Sequence, residues 1–290
     1  MCLRAPRVEL RQPSPVPFAR TVRRLALRIG PALVLLAASV LIVIAGSWAF
    51  SVWVLIFGVL MAREWYAIAY QGKPAPHLPL HILCLAIVLG AVTAGYPLVG
   101  LGVLAAGTLA AMVVTARARL DPTWSALGVL YTVGPLACLV WLRMATVHPI
   151  YTVLWLLCVV WATDTAALVA GRLIGGPPLA PKISPRKTWA GLIGGAAAAA
   201  AVGFGAGRLD PSFSSLALMA LSAILAVVAQ LGDLTESAFK RRFGVKDSSQ
   251  LIPGQGGVLD RVDGLVFATL TVTILAVLMG GSVLSVGAHP

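Results

Sequence analysis

The chain has 290 residues, 59% of them hydrophobic and only 11% charged, with a mean hydropathy of +0.92 and a formal net charge of +12. These values exclude an ordinary soluble domain and predict an all-α polytopic integral membrane protein, since a helix of about 20 apolar residues spans a bilayer with its backbone satisfied. The Lys and Arg excess lies in short connections between apolar runs, which is a topology signal and not the basic face of a nucleic-acid-binding protein, so no nucleic acid partner is expected.

Residues 1–28 carry seven Arg, four Pro and no Lys, and read as a cytoplasmic arm with an amphipathic end near residues 22–28. The same composition also marks a cleaved signal or transit peptide, although the apolar run that follows continues into a second and a third. Spans are predicted at 29–46, 48–69, 80–96, 98–115, 124–142, 149–171, 188–207, 213–232 and 264–284. Residues 29–145 form an N-terminal group of transmembrane helices; residues 146–290 form a second region with long polar loops at 172–187 and 233–263.

Nine spans put the termini on opposite sides. With the N-terminus in the cytoplasm, 20 of the 22 Lys and Arg residues fall inside and only Arg143 and Arg208 outside. That is the positive-inside pattern, and it turns both long polar loops toward the cytoplasm. Cys2, Cys84, Cys138 and Cys158 are isolated and form neither a disulfide framework nor a C-x-x-C pair.

Chemistry-bearing residues concentrate in the second region. Asp164, in WATDTAALVAGRLIGG, is expected roughly 10 Å below the cytoplasmic end of its helix. A carboxylate at that depth is costly and should face a polar cavity, or else pair with Arg or Thr to join helices. The loop GRLIGGPPLAPKISPRKTWAGLIGG offers Lys182, Arg186 and Lys187, and Ser184 or Thr188 as a cap for the next helix. A helix N-terminus with adjacent cations suits a phosphate, and an ordinary basic loop on lipid headgroups is the plainer alternative.

The stretch QLGDLTESAFKRRFGVKDSSQLIPGQGGVLDRVDG holds five of the ten carboxylates and five of the 22 cations. Asp233 ends one predicted helix, and Asp260 and Asp263 precede the next with an i,i+3 spacing that puts them on one face. Three carboxylates brought together call for a cation. Hard oxygen ligands with no convergent His or Cys select Mg²⁺ or a similar ion, which usually accompanies substrate phosphates. Glu236 and Lys240 read as a surface i,i+4 pair, and Gly254, Gly256 and Gly257 let backbone N–H groups approach an anion. His77 and His81 are separated by Pro79 and do not suggest a zinc helix. Trp48, Trp53, Trp65, Trp141 and Trp155 read as interface anchors or packing residues.

These two stretches, residues 161–195 and 230–264, closely resemble the signatures of the phosphatidate cytidylyltransferases (CDP-diacylglycerol synthases). The remaining helices match that family only in number and hydropathy. The resemblance implies a nucleotidyltransferase in phospholipid biosynthesis that converts CTP and phosphatidate to CDP-diacylglycerol and pyrophosphate with divalent metal. It also implies a multi-pass protein of a bacterial-type inner (plasma) membrane whose active site faces the cytoplasm.

Carried over by position, the family's metal-binding acids fall on Asp233 and Asp260, with Asp263 and Asp164 in support, and Asp233, Asp260 and Asp263 are the candidate metal ligands. Its basic and hydroxyl residues fall on Ser184, Lys187, Thr188, Ser237, Lys240, Arg241, Lys246 and Arg261, around the triphosphate and the lipid phosphate. The implied cofactor is Mg²⁺, with a second divalent or a monovalent cation left open. The implied partners are CTP, phosphatidate and membrane lipids, and a homodimer is also left open. Helix faces such as Ala166 and Ala170 suit either dimer contacts or internal packing.

Two positions depart from the family pattern. Gln255 stands where the family has His in P-G-H-G-G, and Ala190 where it usually has Glu in K-T-W-E-G. Gln can donate a hydrogen bond to a phosphate oxygen but carries no charge, and Ala removes an acid, so a catalytically silent paralogue is one alternative. An ion-coupled transporter and another CTP- or ATP-dependent lipid enzyme, such as a polyprenol kinase, are the others. Against a transporter, no acid lies in the outer halves of the predicted spans, where a two-sided path would need one.

Overall fold

The computed structural model describes residues 34, 37–251 and 256–285. The arm at 1–28, Gly254 and Gln255 lie outside the described residues. Helical residues 37–45 precede Gly46, whose φ of 128° breaks the helix and begins α1, Ser47–Ala69. The elements that follow are α2 (Leu78–Thr93), α3 (Pro97–Arg117), α4 (Pro122–Ala145), α5 (Pro149–Leu173), strands β1 (Pro178–Ala180) and β2 (Ser184–Thr188), α6 (Trp189–Ala206), α7 (Ser215–Arg242) and α8 (Leu259–Leu278). A short 3₁₀ turn follows at Val283–Ser285.

Local chemistry accounts for most of these starts. Pro stands in the first two positions of α2, α3, α4 and α5, where its missing N–H costs nothing. Asp121, Thr188 and Ser214 cap α4, α6 and α7 with side-chain oxygens.

Among the described residues, seven helices are long and apolar enough to cross a membrane, which makes this an all-α polytopic membrane protein. The third predicted span is the 16-residue α2, about 24 Å long, and the first, 29–46, is described at residue 34 and from residue 37 onward, where it is helical to residue 45. Two predicted boundaries differ from the structure. α7 runs on to Arg242 and α8 begins at Leu259, so the polar loop expected over 233–263 is confined to residues 243–258. Charge does not end α7, because Asp233, Glu236 and Lys240 find partners along one face and Lys240, Arg241 and Arg242 complement the helix C-terminus.

α1 to α4 pack as one group, α5 to α8 as a second, and α4 with α8 joins them. In the second group small residues permit close approach. A Cβ on Gly191 would lie 2.9 Å from the Ala167 carbonyl oxygen, one on Gly195 3.0 Å from that of Thr163, and one on Gly194 would run into Ala170. The Ala166–Ala170 face is therefore covered by α6 within the chain. The 172–187 loop contains the antiparallel hairpin β1–β2, which returns the chain to Thr188 beside the end of α5.

Some polar groups of the first group pair with each other. His81 joins Tyr66 (2.8 Å) to Thr132 (2.7 Å), and Trp65 stacks on Phe239 at 3.9 Å. Trp65 and the histidine pair are thus packing elements, and among the described residues no group of His, Cys, Asp or Glu has the arrangement of a metal centre.

Candidate active site

α7 and α8 cross closely at two glycines. A Cβ on Gly232 would lie 2.5 Å from the Asp263 carbonyl oxygen, and one on Gly264 would lie 3.3 Å from Ala229. This approach brings the polar stripe Asp233, Glu236, Ser237 and Lys240, spaced i, i+3, i+4, i+7 along α7, against Asp260 and Asp263 in the first turns of α8.

Lys240 Nζ sits between two carboxylates, 2.6 Å from Glu236 Oε2 and 2.6 Å from Asp260 Oδ1. Glu236 is 1% exposed and Lys240 8% exposed, so the expected surface pair is a buried one. The i,i+4 spacing is right; the α8 helix covers it. Glu236 Oε1 is buried without a hydrogen-bond partner. Asp263 is also buried, accepts from the Gly264 N–H at 2.8 Å, and has Asp233, Glu236 and Asp164 as electrostatic neighbours.

Asp260 is held from three directions. Besides Lys240, its carboxylate accepts from the Ser248 N–H at 3.0 Å and the Gly257 N–H at 2.9 Å. Gly256 adopts a φ of 87° and would put a Cβ 2.5 Å from Asp260 Oδ2. The anion approached by the Gly257 backbone is thus this protein's own carboxylate. Glu64, from α1, meets the same segment: its two carboxylate oxygens accept from Ser249 Oγ (2.6 Å), Ser248 Oγ (3.1 Å), Val258 N–H (3.0 Å) and Leu259 N–H (2.7 Å).

The hairpin contributes Lys187, whose Nζ lies 2.5 Å from Asp233 Oδ2 and 3.0 Å from Gln230 Oε1. Thr188 Oγ1 caps α6 by accepting from Gly191 N–H at 3.1 Å. Ser237 donates to Asp233 at 3.3 Å. Asp164 lies about 13 Å below the end of α5, within electrostatic reach of Asp233, Lys187 and Arg261. With Thr165 and Arg261 it forms the polar end of a cavity of about 360 Å³ between α1, α4, α5 and α8, whose walls include Trp53, Phe57 and Trp161.

Asp164, Lys187, Thr188, Asp233, Ser237, Lys240, Gly256, Gly257, Asp260, Arg261 and Asp263 therefore converge at one end of the bundle. Ser184 pairs with Ala180 in the hairpin, Arg241 donates to the Val245 carbonyl at 2.8 Å beyond the end of α7, and Lys246 is exposed. Sequence reasoning missed Glu64, Glu236 as a buried group, and Gln230. Glu64 left a signal, as an acid near the end of an apolar span where ionisable residues are rare.

The fold and site define an integral membrane protein with a carboxylate- and amine-lined site at one end of its helix bundle, open to an apolar cavity. Residues 26–279 match the Cytidylyltransferase family, and the chain belongs to that family. It is 49% identical over 145 residues to the phosphatidate cytidylyltransferase of Brucella suis biovar 1, an alignment covering 50% of this chain and 54% of that protein. To that of Rickettsia conorii it is 38% identical over 151 residues, covering 49% and 65%. To that of Haemophilus influenzae it is 45% identical over 130 residues, covering 42% and 44%. The chain spans about half the length of the first curated relatives it matches.

Proposed function

We propose that this protein is a phosphatidate cytidylyltransferase acting at the cytoplasmic face of a bacterial inner membrane. The observation that carries the reading is the meeting of an amine- and carboxylate-lined site with an apolar cavity. Phosphatidate has a matching form, an anionic headgroup on apolar chains. The cavity with Arg261, Asp164 and Thr165 at its polar end suits an acyl chain whose phosphate stays beside Arg261. The names of the relatives supply the nucleotide.

The proposed reaction forms a bond between a phosphate oxygen of phosphatidate and the α-phosphorus of CTP and breaks the bond from that phosphorus to the bridging oxygen, so that pyrophosphate leaves. The attacking oxygen is already anionic at neutral pH, so no general base is required. Placement and charge compensation carry the catalysis. Lys187 on its hairpin is positioned to exchange Asp233 for a triphosphate oxygen, and Arg261 to hold the lipid phosphate. Lys240, fixed by Glu236 and Asp260, supplies positive potential near the reacting groups.

A divalent cation fits the charge and oxygen-ligand chemistry of the site, while among the described residues the acids are not already arranged around a metal position. Asp164, Asp233, Glu236, Asp260 and Asp263 exceed Lys187, Lys240 and Arg261 by two charges when all are ionised, and Glu236 Oε1 is buried without a partner. Asp233 and Asp263 would hold a Mg²⁺ ion after side-chain rearrangement, whereas Asp260 is engaged by Lys240 and two backbone N–H groups. Bound Mg²⁺ would neutralise charge on the triphosphate.

The experiment is pyrophosphate release by purified protein in detergent, with CTP, ATP, GTP or UTP offered against phosphatidate or a polyprenol. Release that requires CTP, phosphatidate and Mg²⁺ together supports the reading. Release from ATP with the polyprenol, or no release from any pair, rejects it.

A further inference from the structure

Glu64 lies on α1, outside both polar stretches, yet it touches the segment on which the site depends. Glu64 is 6% exposed, and among the described residues no Lys or Arg forms an ion pair with it; its carboxylate accepts from four donors, two serine hydroxyls and two backbone N–H groups. Val258 and Leu259 supply those N–H groups at the start of α8, where unpaired donors and the positive end of the helix dipole favour a carboxylate.

The neighbouring residues are shaped around this contact. A Cβ on Gly257 would lie 2.5 Å from Glu64 Oε1 and would also run into Ser248 Oγ. Ser248 connects the two acids directly, since its hydroxyl donates to Glu64 and its N–H to Asp260. Asp260 in turn fixes Lys240. Glu64 therefore ties Ser248 and Ser249 to Val258 and Leu259, and with them the setting of Asp260 and Lys240.

We propose that Glu64 is a positioning residue for the reaction: it fastens the glycine-containing segment and the start of α8 to α1 so that Lys240 and the acids of α7 and α8 face the nucleotide and its metal. The residue acts through Ser248, Gly257 and Asp260 and does not itself touch substrate. The proposal rests on the cytidylyltransferase reading for the identity of the nucleotide.

The test compares wild-type protein with Glu64→Gln and the milder Ser249→Ala, in detergent, by hydrogen–deuterium exchange with and without Mg²⁺ and CTP, and by Mg²⁺ titration of turnover. Glu64→Gln keeps the shape but loses one pair of acceptor sites. Exchange should rise in residues 246–260 and stay unchanged in α5 and α6, and half-saturating Mg²⁺ should rise roughly 10- to 100-fold, as when outer partners of a metal site are removed. Ser249→Ala should move both readouts less, in the same direction.

Unchanged Mg²⁺ dependence per folded molecule, or exchange rising equally through all helices, would overturn the assignment. If wild-type protein turns over no CTP and phosphatidate, the functional reading fails alone. The Mg²⁺-induced protection of residues 256–260 then decides for Glu64: its loss in Glu64→Gln supports the role, and its persistence contradicts it.

Discussion

Lys187 Nζ stands 2.5 Å from Asp233 Oδ2, so the short hairpin between α5 and α6 is fastened to α7 by a partly buried ion pair. The same amine is the cation best placed to pass from a protein carboxylate to a phosphate. Lys187→Met should lower kcat/KM for CTP about 10²- to 10³-fold, the loss typical of removing one charge-stabilising donor, while the thermal midpoint shifts little. Steady-state rates and an unfolding scan on the same preparation check this, and rates within twofold of wild type would remove Lys187 from the site.

Lys240 lies between Glu236 and Asp260 at 2.6 Å from each, with Glu236 and Lys240 buried and Asp260 partly buried. Removing only the amine leaves two carboxylates unmatched, so Lys240→Met should destabilise the protein by about 3–5 kcal/mol. Adding Glu236→Gln should restore part of that loss without restoring activity. Thermal unfolding followed by size-exclusion detection separates the two effects, and a double variant no more stable than the single one would show that Glu236 is not what Lys240 compensates.

Gly232 has no room for a side chain, since a Cβ would lie 2.5 Å from the Asp263 carbonyl oxygen. Gly232→Ala should push α7 from α8, cost about 1–3 kcal/mol and reduce turnover by separating Asp233 from Asp263. Gly205→Ala on α6 is the control, because nothing lies within 4 Å of its added Cβ. The control should be neutral or slightly stabilising, and equal effects at both glycines would contradict the close-approach account.

The contrast between these residues shows what the sequence could convey. Most of the spans and the two polar stretches were legible because hydropathy is a one-dimensional signal. Asp260 and Asp263 were legible as acids at the start of a helix and Thr188 as a cap, whereas Asp233, expected to end its helix, lies inside α7, which runs on to Arg242. The burial of Glu236 was not, because an i,i+4 acid–base pair looks the same whether solvent or α8 lies over it. Nor was the contact of Glu64 with Leu259, 195 positions away, which exists only once α1 and α8 are packed. The length of α7 was misjudged for the same reason: its charged last turns are stabilised by partners on other elements.

His77, at the cap of α2, is fully buried against Tyr66 and Tyr70 with both ring nitrogens unpartnered, and His81 lies nearby. Burial pushes its pKa down from 6.5 to about 4. A depressed folded-state pKa means that the neutral ring is favoured on folding. Its contribution is therefore complete above pH 6.5 and is lost as pH falls toward 4. His77→Phe should flatten the fall in thermal midpoint over that window relative to wild type, and parallel curves for the two proteins would contradict this.

The central claim, transfer of a nucleotidyl group to a lipid phosphate, is tested most directly by following label position. Purified protein, Mg²⁺ and phosphatidate are incubated with CTP labelled at the α-phosphate or, separately, at the γ-phosphate, and the lipid is extracted. The account predicts that the α-label enters the organic phase as a CDP-lipid while the γ-label stays in water as pyrophosphate. Recovery of the γ-label in lipid would mean phosphoryl transfer, and label from neither position in lipid would mean no transfer; either result would contradict the account.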